Sequence, residues 1–226
     1  MKIGIVIAMD KEFIRIKSLL HDVSQTEKHG FTFVTGTSGA NTVVMQCGIG
    51  KVNAAMGAAE LISLFEPDAV ISTGVAGGAS TQLERMEVVV SSQTCYHDAY
   101  CGSEQAYGQI MGMPARFDAD SDLLAKACAI DCGTKITPGL IVTGDWFVDS
   151  REKMSSILEH FPEAMAVDME SAAIAQVCHR RGVRFISFRI ISDIPLKDDK
   201  AQQYYDFWEK MAEDSFGVTK AFMESI

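Results

Sequence analysis

No apolar run in the 226-residue sequence approaches the ~20 residues that a membrane-spanning helix needs, so a membrane protein is not expected. Cations are in the minority: 20 Lys and Arg face 30 Asp and Glu, a formal net charge of −10. A nucleic-acid backbone repels such a surface. The one basic run, Arg180-Arg181-Gly182-Val183-Arg184, is short and reads as a solvated helix end. Cysteines stand at 47, 95, 101, 128, 132 and 178, yet no CxxC pair occurs. Cys128 and Cys132 are one helical turn apart, but no His-rich segment completes a zinc site, so free buried thiols in a reducing cytosol are expected. The opening MKIGIVIAMD stops its apolar run at Asp10 and lacks the length and cleavage pattern of a secretion signal; a cytoplasmic location is expected. Repeats, linkers and low-complexity tracts are missing too, so residues 1–226 are expected to form one domain.

What is present suits a full core: 47% of residues are apolar and 22% charged. Apolar runs at 3–8, 69–73, 88–92, 140–143, 165–167 and 185–191 predict strands. The β-rich stretches 31–35 and 42–47, separated by Gly36, Gly39 and Asn41, predict a hairpin. Helical patterns run over 11–20, 52–65, 123–130, 150–160, 171–180 and a tail at 202–225. Ser150 offers a helix cap, though Lys153 stands where a capping box needs an acid. Residues 96–120 read as a long loop, a frequent seat of function. Strands and helices alternate, which predicts a mixed sheet with helices on both sides and ligands at the carboxyl ends of its strands.

The chemistry therefore lies in the residues just past each strand. Met9, Asp10 and Glu12 come after the first; Gly48-Ile49-Gly50-Lys51 comes after Cys47; Gly74-Val75-Ala76-Gly77-Gly78 comes after Thr73. Gly144-Asp145-Trp146-Phe147, then Asp168-Met169-Glu170, then Ser192-Asp193 complete the set. Carboxylates, glycine loops and an aromatic, with few cations, suit a neutral ligand bearing hydroxyls and a flat ring. GIGK is not a nucleotide-phosphate loop: Met45 stands where the first glycine is required and Val52 where Ser or Thr is. Nor is it a dinucleotide fingerprint, whose third glycine would fall on Asn53; it reads as a tight strand-to-helix turn. Singly, Glu12, Asp168 and Glu170 are ordinary first-turn helix residues, and Asp193 an ordinary N-cap. His97-Asp98 has no serine elbow to serve and reads as a surface or loop histidine.

Together the motifs resemble the 5′-methylthioadenosine/S-adenosylhomocysteine nucleosidases of the nucleoside phosphorylase superfamily. They span nearly the whole chain: MKIGIVIAMDKE, GIGKVNAA, TGVAGG, YHDA, YGQ, TGDWF, FPEAMAVDMESAAIAQVCH and ISD. The resemblance implies an α/β fold, a three-layer αβα sandwich around a mixed, partly barrel-like sheet, and a homodimer that takes a small adenine nucleoside with no metal or organic cofactor. Glu12 would activate water and Asp193 would protonate adenine N7. Glu170 would hold the ribose hydroxyls with Met169 against the sugar. Phe147 would stack on the base and the Val148 backbone would bind its edge. Met9 and Ile49 would line the sugar and 5′ region, Tyr204 would cap the 5′ pocket, and Ser192 is counted among the binding residues. Cleaving an N-glycosidic bond needs an acid on the base and an activated water on the sugar, which two carboxyls of separated proton affinity supply.

The chain departs from the family at Val75, where serine is the rule, at Asp168, where glutamate is common, at the bulky Trp146, and over 99–113. Two rival functions are open to the same residues. A phosphorylase on the same fold needs cationic donors for phosphate, and Glu12 sets negative charge in its way. A nucleoside-binding protein that has lost catalysis has no use for Glu12, Glu170 and Asp193 together.

Overall fold

Strand β1 (Lys2–Ile7) is apolar towards both of its faces: Ile3, Ile5 and Ile7 enter one core cluster and Val6 another. That is the signature of a central strand covered by helices on both sides. The computed structural model describes residues 1–197, 207 and 216–226. After β1 come α1 (Asp10–Lys17), β2 (His21–Lys28), β3 (Phe31–Ser38), β4 (Ala40–Gln46), α2 (Lys51–Phe65) and β5 (Ala69–Gly78). Next are β6 (Val88–Tyr96), β7 (Phe117–Asp118), α3 (Ser121–Cys128), β8 (Ile136–Thr143) and α4 (Arg151–His160). The chain continues with β9 (Ala164–Asp168), α5 (Ser171–Arg181), β10 (Arg184–Asp193) and α6 (Gly217–Glu224).

Strand β5 pairs with β10, β10 with β6, β6 with β8, β8 with β9, and β9 with β5, so this half of the sheet closes on itself. Strands β1, β4, β3 and β2 extend from β5 as an open wing. Parallel and antiparallel pairs are mixed, and the predicted partly barrel-like sheet is what forms. Helices α2 and α5 cover one face through Ala54, Ala58, Leu61, Ala172 and Ala175. On the other lie Phe13 and Ile16 of α1, Leu123 and Ala127 of α3, and Phe222 of α6. Helix α4 adds Met154 and Ile157 over β8 and β9. No helix of the described residues is long and apolar enough to cross a membrane.

The differences from the sequence reading have local causes. Strand β2, HDVSQTEK, carries no apolar alternation because it is a solvent-facing edge, held by pairing to β3. Charge and polarity on an edge strand also discourage pairing with another chain. The TGVAGG stretch is not a loop: β5 runs on to Gly78, since Gly74 to Gly77 pair with β10 and Gly77-Gly78 with β9. Ser150 caps α4 by accepting the Lys153 N–H at 3.2 Å without help from an acid. The thiols divide: Cys47, Cys95 and Cys178 are buried, but Cys128 and Cys132 are exposed where α3 ends. Of the predicted tail helix, α6 falls within the described residues.

Candidate active site

The ends of β1, β8, β9 and β10 and the far half of β5 surround a cleft of about 690 Å³, its open mouth included. Met9, Glu12, Ile49, Phe147, Val148, Met169, Glu170, Ser192 and Asp193 all line it. Tyr204 lies outside the described residues.

Glu12 serves its helix and the cleft at once. It is the third residue of α1, and its Oε2 accepts the Met9 N–H at 3.2 Å, half of a capping box. Its Oε1 accepts the Val75 N–H at 2.9 Å, so the residue at 75 contributes through its backbone despite lacking a hydroxyl. A Cβ on Gly74 would stand 2.8 Å from Glu12 Oε1 and 3.2 Å from Arg189 Nη1, so this glycine makes the space in which acid and cation approach. Burial pushes Glu12 up to about 7, against the pull of the Val75 N–H, Arg189 and the Met9 N–H.

Asp168 and Glu170, two residues apart, go separate ways. Asp168 ends β9 and turns inward. It accepts from Thr143 Oγ1 at 2.5 Å, the Ser171 N–H at 3.1 Å, the Ser171 hydroxyl, and Arg189 Nε at 2.6 Å. It thereby secures the start of α5 and a buried cation. Glu170 is the residue before α5 but makes no cap; its Oε1 reaches across to the Gly50 N–H at 3.0 Å. Burial and the Asp168 charge push Glu170 up to about 7, with Arg189 and the Gly50 N–H opposing. Asp193 ends β10 and no helix begins directly after it, so the N-cap reading does not hold there. Its Oδ1 accepts from the Ser192 hydroxyl at 2.7 Å, and the same hydroxyl lies 3.2 Å from the Ala76 carbonyl. Burial pushes Asp193 up to about 6, opposed by the Ser192 hydroxyl and Arg85.

Cations are few here as expected, and the one that lines the cleft among the described residues is Arg189, which the strand ends do not reveal. It lies within β10, 2% exposed, and lines the cleft. Its Nε binds Asp168, its Nη2 donates to Ser72 Oγ at 2.8 Å, and Nη2 stands 3.9 Å from Glu170 Oε2. A buried charge is tolerated when it is paired and hydrogen-bonded. One guanidinium thus binds Asp168, stands near Glu170 and favours the charged form of Glu12. The only warning in the sequence is a lone cation in the apolar strand FISFRIISD, and the partners that keep it there come from β5 and β9. His97 lies in the loop that follows β6, as one of its two readings has it, but it is buried at 5% exposure under the turn at Gly144 rather than on the surface, and burial lowers its proton affinity.

Much of the remaining lining is apolar, and it includes Met9, Ile49 and Met169. Phe147 borders it half exposed, and Val148 beside it is buried. Trp146 also borders the cleft, with the Lys153 ammonium 4.2 Å over its ring. The arrangement offers an aromatic platform, a hydrogen-bonding floor and three carboxyls whose protons move near neutrality. Such a cleft can grip a flat heterocycle and a polyol and transfer protons to and from them.

Residues 2–224 match the model of the phosphorylase superfamily. A 5′-methylthioadenosine/S-adenosylhomocysteine nucleosidase of Anoxybacillus flavithermus is 39% identical over 94% of this chain and 93% of its own. The protein of that name from Chromohalobacter salexigens is 40% identical over 100% and 97%. Among solved structures, the Neisseria meningitidis nucleosidase in complex with methylthio-immucillin-A superposes with a TM-score of 0.93 at 33% identity, covering 100% of this chain and 99% of that one. Futalosine hydrolase of Helicobacter pylori superposes with a TM-score of 0.91 at 29% identity, covering 100% and 98%.

Proposed function

Because the chain belongs to the phosphorylase superfamily and, within it, to the 5′-methylthioadenosine/S-adenosylhomocysteine nucleosidases, we propose that it hydrolyses the N-glycosidic bond of 5′-thioadenosines, releasing adenine and a 5-thioribose. The observation that carries this reading is three buried carboxyls lining one cleft with the aromatic Phe147, their proton affinities raised to about 7, 7 and 6. In the reaction, Asp193 gives its proton to adenine N7 as the C1′–N9 bond breaks, so the base departs neutral. Glu12 takes a proton from the water that adds to C1′. Glu170 accepts from the ribose hydroxyls, and its negative charge favours the cationic sugar. Phe147 stacks on the base, the Val148 backbone meets its edge, and Met9, Ile49 and Met169 pack on the sugar and the 5′ substituent.

Adenine release from 5′-methylthioadenosine tests this. It is expected in phosphate-free buffer, with free methylthioribose as co-product and no gain on adding phosphate. Activity only with phosphate makes the protein a phosphorylase and removes Glu12 as the water activator. Binding without release under either condition makes it a nucleoside-binding protein. Adenine and ribose are what these residues read, so 5′-deoxyadenosine and a 6-amino-futalosine-type nucleoside belong in the same assay.

We further propose that the enzyme is a homodimer, joined on the face that carries Ile49, Val52 and Met56. These three are 51%, 69% and 54% exposed; Val52 and Met56 lie one turn apart on α2, Ile49 just precedes it, and Val52 borders a groove lined by Ala55, Ala59, Ile110 and Val177. Ile49 also lines the cleft, so burying this face excludes water from the 5′ end of the site. Val52→Glu is expected to shift the sedimentation coefficient to that of a monomer and to raise KM; a variant that stays dimeric moves the interface elsewhere.

A further inference from the structure

The turn after β4 and the loop after β8 border the cleft, and one small charged circuit ties them to each other through the segment after β6. The turn after β4 ends in Gly50, which donates to Glu170, and Lys51, which starts α2. The loop after β8 opens at Gly144 and Asp145 and then presents Trp146, Phe147 and Val148 to the cleft. The segment after β6 supplies Asp98. Lys51 Nζ lies 2.8 and 2.7 Å from the two oxygens of Asp98. Asp98 Oδ2 also accepts the Asp145 N–H at 2.8 Å. Asp145 Oδ1 in turn accepts the Lys51 N–H at 2.8 Å, which closes the ring. Lys51 Nζ stands 3.8 Å from the second Asp145 oxygen and 5.5 Å from the centre of the Tyr96 ring.

Resting on the hydrolase reading above, we propose that Lys51, Asp98 and Asp145 are positioning residues that set the separation between the turn serving the sugar and the loop that stacks the base. A lone ion pair as exposed as these side chains contributes little. This one differs in being a closed circuit in which two of the four links are backbone N–H groups of the loops being positioned. The backbone is built around it. Gly50 has φ of 97°, and a Cβ there would stand 3.0 Å from Asp145 Oδ1. A Cβ on Gly144 would stand 2.4 Å from the buried His97 ring. None of the three charged residues lines the cleft itself, so they act on substrate through Gly50, Trp146 and Phe147.

The test is Lys51→Met beside Lys51→Arg and Asp98→Asn, each taken through hydrogen exchange of the 144–148 backbone and steady-state kinetics with 5′-methylthioadenosine. Lys51→Met is expected to speed exchange there and to raise KM about tenfold with kcat within about threefold, the mark of lost uniform binding. Lys51→Arg is expected to restore both, since a guanidinium keeps the two-pronged grip on Asp98. Asp98→Asn is expected to reproduce the loss, and covers the case in which Lys51→Met does not fold. Unchanged exchange with unchanged KM overturns the proposal, as does a fall in kcat at constant KM. A wild-type chain that releases no adenine defeats the hydrolase reading alone, because exchange in 144–148 still decides whether the circuit holds the loop.

Discussion

Asp193→Asn is expected to lower kcat about a thousandfold, within the range a positioned general acid contributes, while KM and folding change little. Asparagine keeps the shape and the contact with the Ser192 hydroxyl but has no proton to give. The sharper expectation concerns pH. The proposed reaction needs Asp193 protonated and Glu12 ionised, yet burial sets Asp193 near 6 and Glu12 near 7, the reverse of the order in which those forms predominate. The reactive combination is therefore a minority species. The kcat/KM profile is expected to be a bell centred near 6.5, with an acid limb near 6 and an alkaline limb near 7. Without Asp193 the fall above 7 should vanish, and the acid limb should move up to the value of Glu12, near 7. Near-normal turnover in Asp193→Asn, or an alkaline limb that survives it, assigns the leaving-group proton elsewhere.

How far this site was legible in the sequence depends on where each residue's partners lie. The strands that build the cleft were visible because burial on both faces demands unbroken apolar runs, as in IGIVIA. Their ends, and so Glu12, Glu170 and Asp193, came directly with them. That these ends converge was implied by family resemblance and not by spacing, since closure of the sheet through β9 depends on pairings some ninety residues apart. Strand β2 was invisible because an exposed edge needs no apolar face. Arg189 was missed for the opposite reason. A cation in a strand reads as a solvent-facing residue unless its counter-charges are known, and Asp168, 21 residues upstream, looked like a helix-start acid. Asp168 is indeed that, through Ser171, and also the anchor of Arg189. Local reading found the first role and could not see the second. Lys51 and Asp98 were passed over likewise, in motifs read as a turn and a loop.

Glu12→Gln separates the chemistry of this site from its cost in stability. Turnover is expected to fall by about 10²- to 10⁴-fold, and the acid limb of the pH profile to disappear, leaving a decline governed by Asp193 near 6. The fold, in contrast, is expected to gain at high pH. A carboxyl raised from 4.5 to about 7 by burial holds its proton more tightly when folded, so its contribution to stability is full below about 4.5 and is lost as the pH rises through about 7. Glutamine carries no such loss, although its amide suits only one of the two N–H donors, from Met9 and Val75, that Glu12 accepts. That lost acceptor shifts the variant's stability by a constant, whereas ionisation supplies the slope. Between pH 5 and pH 8 the stability of Glu12→Gln relative to wild type is therefore expected to swing by roughly 2 to 3 kcal/mol in the variant's favour. In a chain of this size that is roughly 5 to 10 °C in Tm. Glu170 reinforces the trend, because its own proton affinity is raised in part by the Glu12 charge that the variant removes. His97, buried with lowered proton affinity, pulls total stability the other way up to its unfolded value of about 6.5, but it does so in both proteins and cancels in the difference. Melting curves of both proteins across that range, without ligand, decide the matter. A difference that stays flat with pH would mean that Glu12 is not held against its charge, and that its readiness to take a proton from water has another source than burial.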